Sequence, residues 1–415
     1  MKIALVCPYN MFERAGGVHQ VIVHLHKGLV KKGHVVKIIT PRPTGFKGKA
    51  PADYILLGKT RAFKGGFGTA GNWTMPTDGG EIELLLQKEK FDVINFHEPW
   101  APMLAWQMLN YSTAAHVGTF HANLIDGAAA KSWPRVFTPY ARGISQKLHV
   151  ITAVSPAPAS LLIAKASNKS EKEMVGNIRY IPNGIDLSIY RPFKKRLPLR
   201  GAGTKTIVFV GRLDKRKGAD WLIKAYAVLA NEDPTIHLII AGEGSQLENL
   251  EALVKSLKLK NVTFTGYIDE EEKRRLMGHA DLVCSPALFG ESFGIVLLEA
   301  MAMGTPIIGG NNLGYINVLS GFGRLGLVDP ETTRDFANRL EVFLTDKQLR
   351  KSFRSWELNE VKKYDYPKIV DQYEAAYIEA VAKWRAEQHL NGENAKNDKG
   401  FWKTKRRFSL RRQLG

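Results

Sequence analysis

Apolar residues along this chain follow two alternating rhythms. Short β-branched runs read as buried strands at residues 2–7, 34–40, 92–97, 117–121, 149–154 and 177–182. A second series follows at 206–210, 237–241, 262–266, 281–285, 306–309 and 325–329. Between several of them the period lengthens to that of a helix. Val18, Val21, Ile22, Leu25 and Leu29 mark one apolar helical face. Strands alternating with helices predict parallel sheets covered on both faces, and two such series predict two doubly wound domains.

The expected boundary is the Pro-, Gly- and cation-rich stretch near 192–203, RPFKKRLPLRGAG, which divides the chain into units 1–190 and 191–366. A long amphipathic helix is expected over about 367–388, returning to the first domain, with a basic and flexible tail over 391–415. Open α/β sheets bind ligands at the carboxyl ends of their strands, so two facing domains predict a cleft with the site inside it.

The chain has 415 residues, enough for more than one core. Cys7 and Cys284 each sit inside an apolar run, which reads as small core residues in a reducing compartment rather than a disulfide. The first strand is too short, and Pro8 follows it too soon, for a secretory signal. Glu299 interrupts the longest apolar stretch before it could span a bilayer. These features predict a cytoplasmic protein, soluble or peripheral.

Charge adds a partner. The net charge is +19, unevenly spread. Residues 1–190 hold 22 Lys+Arg against 12 Asp+Glu, residues 191–390 hold 29 against 26, and residues 391–415 hold 8 against 2. Basic ends around a nearly neutral middle imply an anionic partner for the N-terminal half and the tail. The tail's Phe401, Trp402 and Phe408 among clustered Lys and Arg suit an anionic membrane surface more than a nucleic acid.

The densest chemistry lies in GESFGIVLLEAMAMG, residues 290–304. Glu291 precedes a helix that is apolar nearly all round, and Glu299 is its one charge. A buried carboxylate needs a cationic or hydroxyl partner. The N–H groups of Phe293, Gly294 and Ile295 at the helix start form an anion cradle. Glu291 then suits a transferred sugar and Glu299 a ribose diol; a structural ion pair for Glu299 fits the residues equally well.

Arg212 and Lys217 follow a strand in VFVGRLDKRKG and could neutralise a diphosphate. Gly16 and Gly17 open the first helix, where backbone can approach a ligand closely. No G-x-G-x-x-G is present, against a nicotinamide or flavin enzyme. His121 ends the strand VGTFHA, with His97 and Glu98 at the end of its neighbour. No zinc-like ligand spacing occurs, so no metal is expected to be held.

The E-x7-E block, with CPYN, GGV, FHEPWAP, GTFHA, IPNGID and GRLDKRKG, resembles the retaining glycosyltransferases of family 4 with the two-Rossmann GT-B fold. Within them the wording is most similar to the phosphatidylinositol alpha-mannosyltransferases, up to about residue 390. The resemblance implies a hexosyltransferase using a nucleotide sugar, GDP-mannose foremost, with a divalent cation at most a stimulant. It implies His121 and Glu291 as catalytic, and Gly17, Arg212, Lys217, Lys273, Phe293, Gly294, Ile295 and Glu299 as donor-binding. It also implies Tyr9, Gly16 and His19 on a lipid acceptor such as phosphatidylinositol, at the inner face of the plasma membrane.

Two places differ from those enzymes. The helix before FDVINFHEP carries Glu81, Glu83 and Glu89 beside Lys88 and Lys90, and Asp126 stands where a lysine is usual. The loop of residues 58–73, with Lys59, Arg61, Phe63, Lys64, Phe67 and Trp73, offers a replacement membrane surface. The alternatives are a UDP-sugar transferase, a silent membrane- or nucleic-acid-binding module, and a two-domain epimerase or phosphorylase.

Overall fold

The computed structural model describes the chain apart from residues 13–15, 44, 65–69, 75–76, 100, 102, 123–142, 164–171, 174–175 and 411–415. For residues 60–64, 70–74, 161, 163 and 391–410 it describes the backbone alone.

Two sheets organise the molecule. The first holds β1 (Lys2–Val6), β2 (Val35–Arg42), β3 (Tyr54–Lys64), β4 (Ala70–Thr74), β5 (Val93–His97), β6 (Ala115–Phe120), β7 (Val150–Ala153) and β8 (Arg179–Tyr180). Their spatial order is β4-β3-β2-β1-β5-β6-β7-β8. The second holds β9 (Lys205–Val210), β10 (Ile236–Ala241), β11 (Val262–Gly266), β12 (Leu282–Ser285), β13 (Ile307–Gly310) and β14 (Leu327–Val328), ordered β11-β10-β9-β12-β13-β14. Pairing is parallel throughout except between β3 and β4. Each sheet is therefore doubly wound, with its switch point between β1 and β5 or between β9 and β12.

Helices cover both faces. In the first domain these are α1 (Gly17–Lys31), α2 (Gly79–Glu89), α3 (Leu104–Tyr111) and α4 (Pro156–Ile163). In the second they are α5 (Ala219–Glu232), α6 (Leu247–Ser256), α7 (Glu270–His279), α8 (Ile295–Met303), α9 (Tyr315–Val318), α10 (Thr333–Thr345) and α11 (Lys347–Glu360). The alternation of β1 explains why both faces are needed. Ile3 and Leu5 pack with Val21, Ile22, Leu25 and Leu29 of α1, whereas Ala4 and Val6 pack with Leu104 and Met108 of α3.

The last helix, α12 (Tyr366–Leu410), returns to the first domain. Its Ile369, Val370, Tyr373, Ala376, Tyr377 and Ala380 join the core formed by β1 and α1. A helix ending near Gln388 is the expectation from sequence, yet the helical backbone continues to Leu410. No proline follows Pro367, and the Ala, Glu and Lys of this stretch are good helix formers.

The sequence reading of residues 58–73 as a loop is also corrected. Residues 60–64 of β3 pair antiparallel with 70–74 of β4, Thr60 opposite Thr74 and Lys64 opposite Ala70. The apolar run Tyr54–Leu57 is the strand's start, and the glycines at 65, 66, 68 and 71 masked its continuation. The side chains of Arg61, Phe63, Lys64 and Trp73, and all of Phe67, lie outside the described residues.

Both cysteines are buried free thiols. Among the described residues, no helix is long and apolar enough to cross a membrane.

Candidate active site

The site residues expected from sequence, apart from those within α1, α7 and α8, lie at or after the carboxyl ends of strands. Strand β9 leads through Gly211 and Arg212 to a 3-10 turn, Lys215–Lys217. Gly218 closes that turn at φ 69°, and a Cβ there would collide with the carbonyl of Pro286 after β12. Only glycine fits this position, so the basic turn is held against the neighbouring strand end.

That packing brings Glu291 under two cations. Its Oε1 accepts from Arg216 Nη1 and from Lys217 Nζ, each at 2.7 Å. Burial would raise the carboxyl's pKa, but Lys217 and Arg216 outweigh it and hold the group below the usual carboxylate range. Lys217 thus pairs with Glu291. Arg216, inside the same motif, was missed by sequence reasoning; only its position one residue before Lys217 hinted at it. Arg212 is half exposed and pairs with Asp214 at 3.1 Å.

Helix α8 starts where the sequence placed it. Gly294 is its N-cap at φ 99°, with no side-chain cap, and a Cβ there would stand 2.6 Å from the Tyr315 ring. Ile295 is the first helical residue. Phe293 lies one position ahead of the cap, its ring buried edge-on against Tyr364. Residues 297–303 of α8 are all buried, as an apolar circumference requires.

Glu299 has the cationic partner its burial demands. Lys273 Nζ donates to Glu299 Oε1 at 2.7 Å and to Glu270 Oε1 at 2.9 Å. The Tyr190 hydroxyl reaches Glu299 Oε1 at 3.3 Å and Glu270 Oε2 at 2.6 Å. Burial works against the Lys273 ammonium, but Glu299 and Glu270 more than offset it and raise its pKa. A lysine that reads as a surface residue on α7 is therefore the partner of the buried Glu299.

Across the molecule, Gly16 caps α1 without a side-chain bond and Gly17 begins it. A Cβ on Gly17 would lie 3.2 Å from Ile295 Cδ1, so this glycine faces the start of α8 in the other domain. Ser155 Oγ donates to the Ser292 carbonyl at 2.5 Å and ties the domains beside it. His19 Nε2 lies 2.7 Å from the Asn10 carbonyl, and Tyr9 is a half-buried neighbour whose hydroxyl burial keeps protonated.

His121 is buried at the end of β6, its Nε2 at 2.9 Å from His97 Nδ1. Its backbone N–H and that of Ala122 both donate to Glu98 Oε1, at 2.6 and 2.5 Å. Glu98 adopts φ 53°, a strained conformation for a residue with a Cβ. Burial lowers the His121 pKa to about 3 and raises that of Glu98 to about 7, the latter opposed by the two backbone N–H donors. His97 and Glu98 are thus direct partners of His121.

Asp126 and the tail side chains Phe401, Trp402 and Phe408 lie outside the described residues. No group of three or more His, Cys, Asp or Glu converges as a metal site among the described residues.

Comparison with known proteins agrees with this architecture. Residues 15–189 match the model for Glycosyltransferase Family 4, and residues 191–356 match that for Glycosyl transferases group 1. The chain is 28% identical to the phosphatidyl-myo-inositol mannosyltransferase of Mycolicibacterium smegmatis, over 91% of this chain and 93% of that one. Identity to the Mycobacterium tuberculosis protein of the same name is 29%, over 91% and 96%. The fold is shared with sucrose-phosphate synthase from Thermosynechococcus elongatus, at TM-score 0.73 and 21% identity over 92% of this chain and 99% of that one. It is shared too with Anabaena HepE in complex with UDP and glucose, at TM-score 0.70 and 19% identity over 90% and 98%.

Proposed function

Because the chain belongs to the GT-B glycosyltransferases that join a Glycosyltransferase Family 4 domain to a group 1 domain, we propose that it moves mannose from GDP-mannose to a membrane lipid. The proposed acceptor class is an inositol phospholipid, as in the names of the mannosyltransferases it resembles. The observation that carries the donor half is Glu291, buried beneath Arg216 and Lys217 beside the capless start of α8. On this reading the carboxylate binds sugar hydroxyls, while the two cations and the backbone N–H groups of the helix start bind the diphosphate.

The reaction breaks the bond between the anomeric carbon and the donor phosphate oxygen. A new bond forms from an acceptor hydroxyl to the same carbon, on the same face. The departing phosphate takes the acceptor's proton, so no protein base is required. Arg212, Arg216 and Lys217 stabilise the charge that builds on the diphosphate. Glu291 orients the sugar, Glu299 with Lys273 holds the ribose, and His121 meets the sugar from the opposite domain. Tyr9, Gly16 and His19 bind the acceptor head group. Domain closure excludes water and limits hydrolysis of the donor. The basic N-terminal domain and tail hold the protein at the anionic inner face of the plasma membrane.

The test is a donor panel of GDP-mannose and UDP-sugars, incubated with extracted lipids and read by product mass. A lipid heavier by one hexose, formed from GDP-mannose, is expected. Transfer from a UDP-sugar alone would replace the donor assignment, and release of free hexose without any glycolipid would remove the lipid acceptor.

A further inference from the structure

A buried polar chain connects the C-terminal helix to His121. Tyr377 of α12, fully buried, accepts from Asn95 Nδ2 at 2.7 Å. Asn95 sits in the middle of β5 and is also fully buried. Its Oδ1 accepts from the Thr119 hydroxyl at 2.8 Å, and Thr119 in turn accepts from Thr152 at 2.8 Å. With Oδ1 turned to these hydroxyls, the amide's N–H side faces His97 Nε2 at 3.3 Å. His97 Nδ1 then meets His121 Nε2 at 2.9 Å, the two rings stacked at 20°.

Proton counting fixes the rest. A neutral imidazole carries one N–H and one acceptor nitrogen. Burial keeps both rings neutral, since it lowers the pKa of His97 well below the ordinary value and that of His121 to about 3. His97 Nε2 accepts from Asn95, so the His97 proton is on Nδ1. That proton is donated to His121 Nε2, which leaves the His121 proton on Nδ1.

We propose that His97, seated by Asn95, is a positioning residue that holds His121 in its Nδ1–H form, so that His121 offers the transferred sugar a neutral hydrogen-bond donor. The proposal rests on the reading of His121 as a residue that meets the sugar. It gives that residue a specific task. An N–H can bind a sugar hydroxyl, while a ring kept uncharged does not repel the positive charge that develops at the anomeric carbon. A free imidazole, titrating near pH 6.5, would be partly cationic and would exchange between tautomers.

Two measurements on the full chain decide it. In histidine-labelled protein, the nitrogen NMR signals of His121 should show Nδ1 protonated and Nε2 bare, unchanged from pH 8 to pH 5. An amide turned the other way would give His121 the opposite tautomer, and that spectrum would overturn the proposal. In the second, His97→Asn keeps an N–H near the position of Nδ1 and His97→Phe keeps the ring without a donor. His97→Phe should lower kcat roughly 10- to 100-fold with donor KM little changed, and His97→Asn should restore most of it. Wild-type kcat in a folded His97→Phe enzyme would also overturn it. If the wild-type chain transfers no hexose, the proposed function fails, whereas the tautomer of His121 is still read from the spectrum.

Discussion

Lys217 Nζ lies 2.7 Å from Glu291 Oε1, and Arg216 Nη1 shares that oxygen at the same distance. The carboxylate proposed to bind the sugar therefore holds in place the cations proposed to bind the diphosphate. Without donor, the one carboxylate engages both cations. With donor, the cations can turn to phosphate and leave Glu291 free for sugar hydroxyls.

Glu291→Gln separates those two tasks. It removes the charge that occupies Arg216 and Lys217 while keeping the side chain's shape. Nucleoside diphosphate binding, measured by calorimetry, should hold or tighten, whereas transfer should fall by roughly 100-fold or more. Equal losses in both would mean that Glu291 acts only as a structural anchor.

The Lys273–Glu299 pair is buried and linked to Tyr190 and Glu270. Breaking such a pair from one side leaves an uncompensated charge and costs roughly 3–5 kcal/mol. Lys273→Met should therefore lower the urea midpoint clearly. Adding Glu299→Gln should recover much of that stability, without recovering donor affinity if Glu299 binds the ribose.

Acid should destabilise the fold through buried histidines. Burial lowers the pKa of His121 from 6.5 to about 3 and that of His116 from 6.5 to about 4. Below pH 6.5 the unfolded chain takes protons that these folded rings refuse, so each contributes a loss of roughly 1.4 kcal/mol per pH unit. Glu98 has the opposite sign. Burial raises its pKa from 4.5 to about 7, so between those values the folded state holds a proton that the unfolded chain has released, and stability rises as pH falls. Glu98→Gln can keep the bonds to the His121 and Ala122 N–H groups but removes this offset. Denaturation curves at pH 7 and pH 5 should show a steeper acid loss in the variant.

The tail is a separate test of membrane binding. Truncation after Leu390 removes 8 Lys+Arg against 2 Asp+Glu while leaving the packed part of α12. At roughly 1 kcal/mol per basic residue near an anionic leaflet, affinity for phosphatidylglycerol vesicles should drop at least tenfold. Turnover of a detergent-dispersed acceptor should be unaffected.

The sequence by itself determined the two doubly wound sheets, because a buried parallel strand must be an apolar run and its crossover an amphipathic helix. It also determined that Glu291 and Glu299 bracket the start of a buried helix, since eight positions of apolar circumference leave little other reading. Partners separated in the chain were beyond it. Lys273 reads as one more lysine on a charged helix until the fold sets it against Glu299, 26 positions away. His97 and His121, on neighbouring strands, become one unit only because β5 and β6 pair in the register that sets His97 opposite Thr119. The β3–β4 hairpin was hidden because glycines dilute the period on which a strand is recognised. Periodicity records which face of an element is buried. The pairing of charges and protons across elements is decided by distance in space, and only the tertiary structure supplies it.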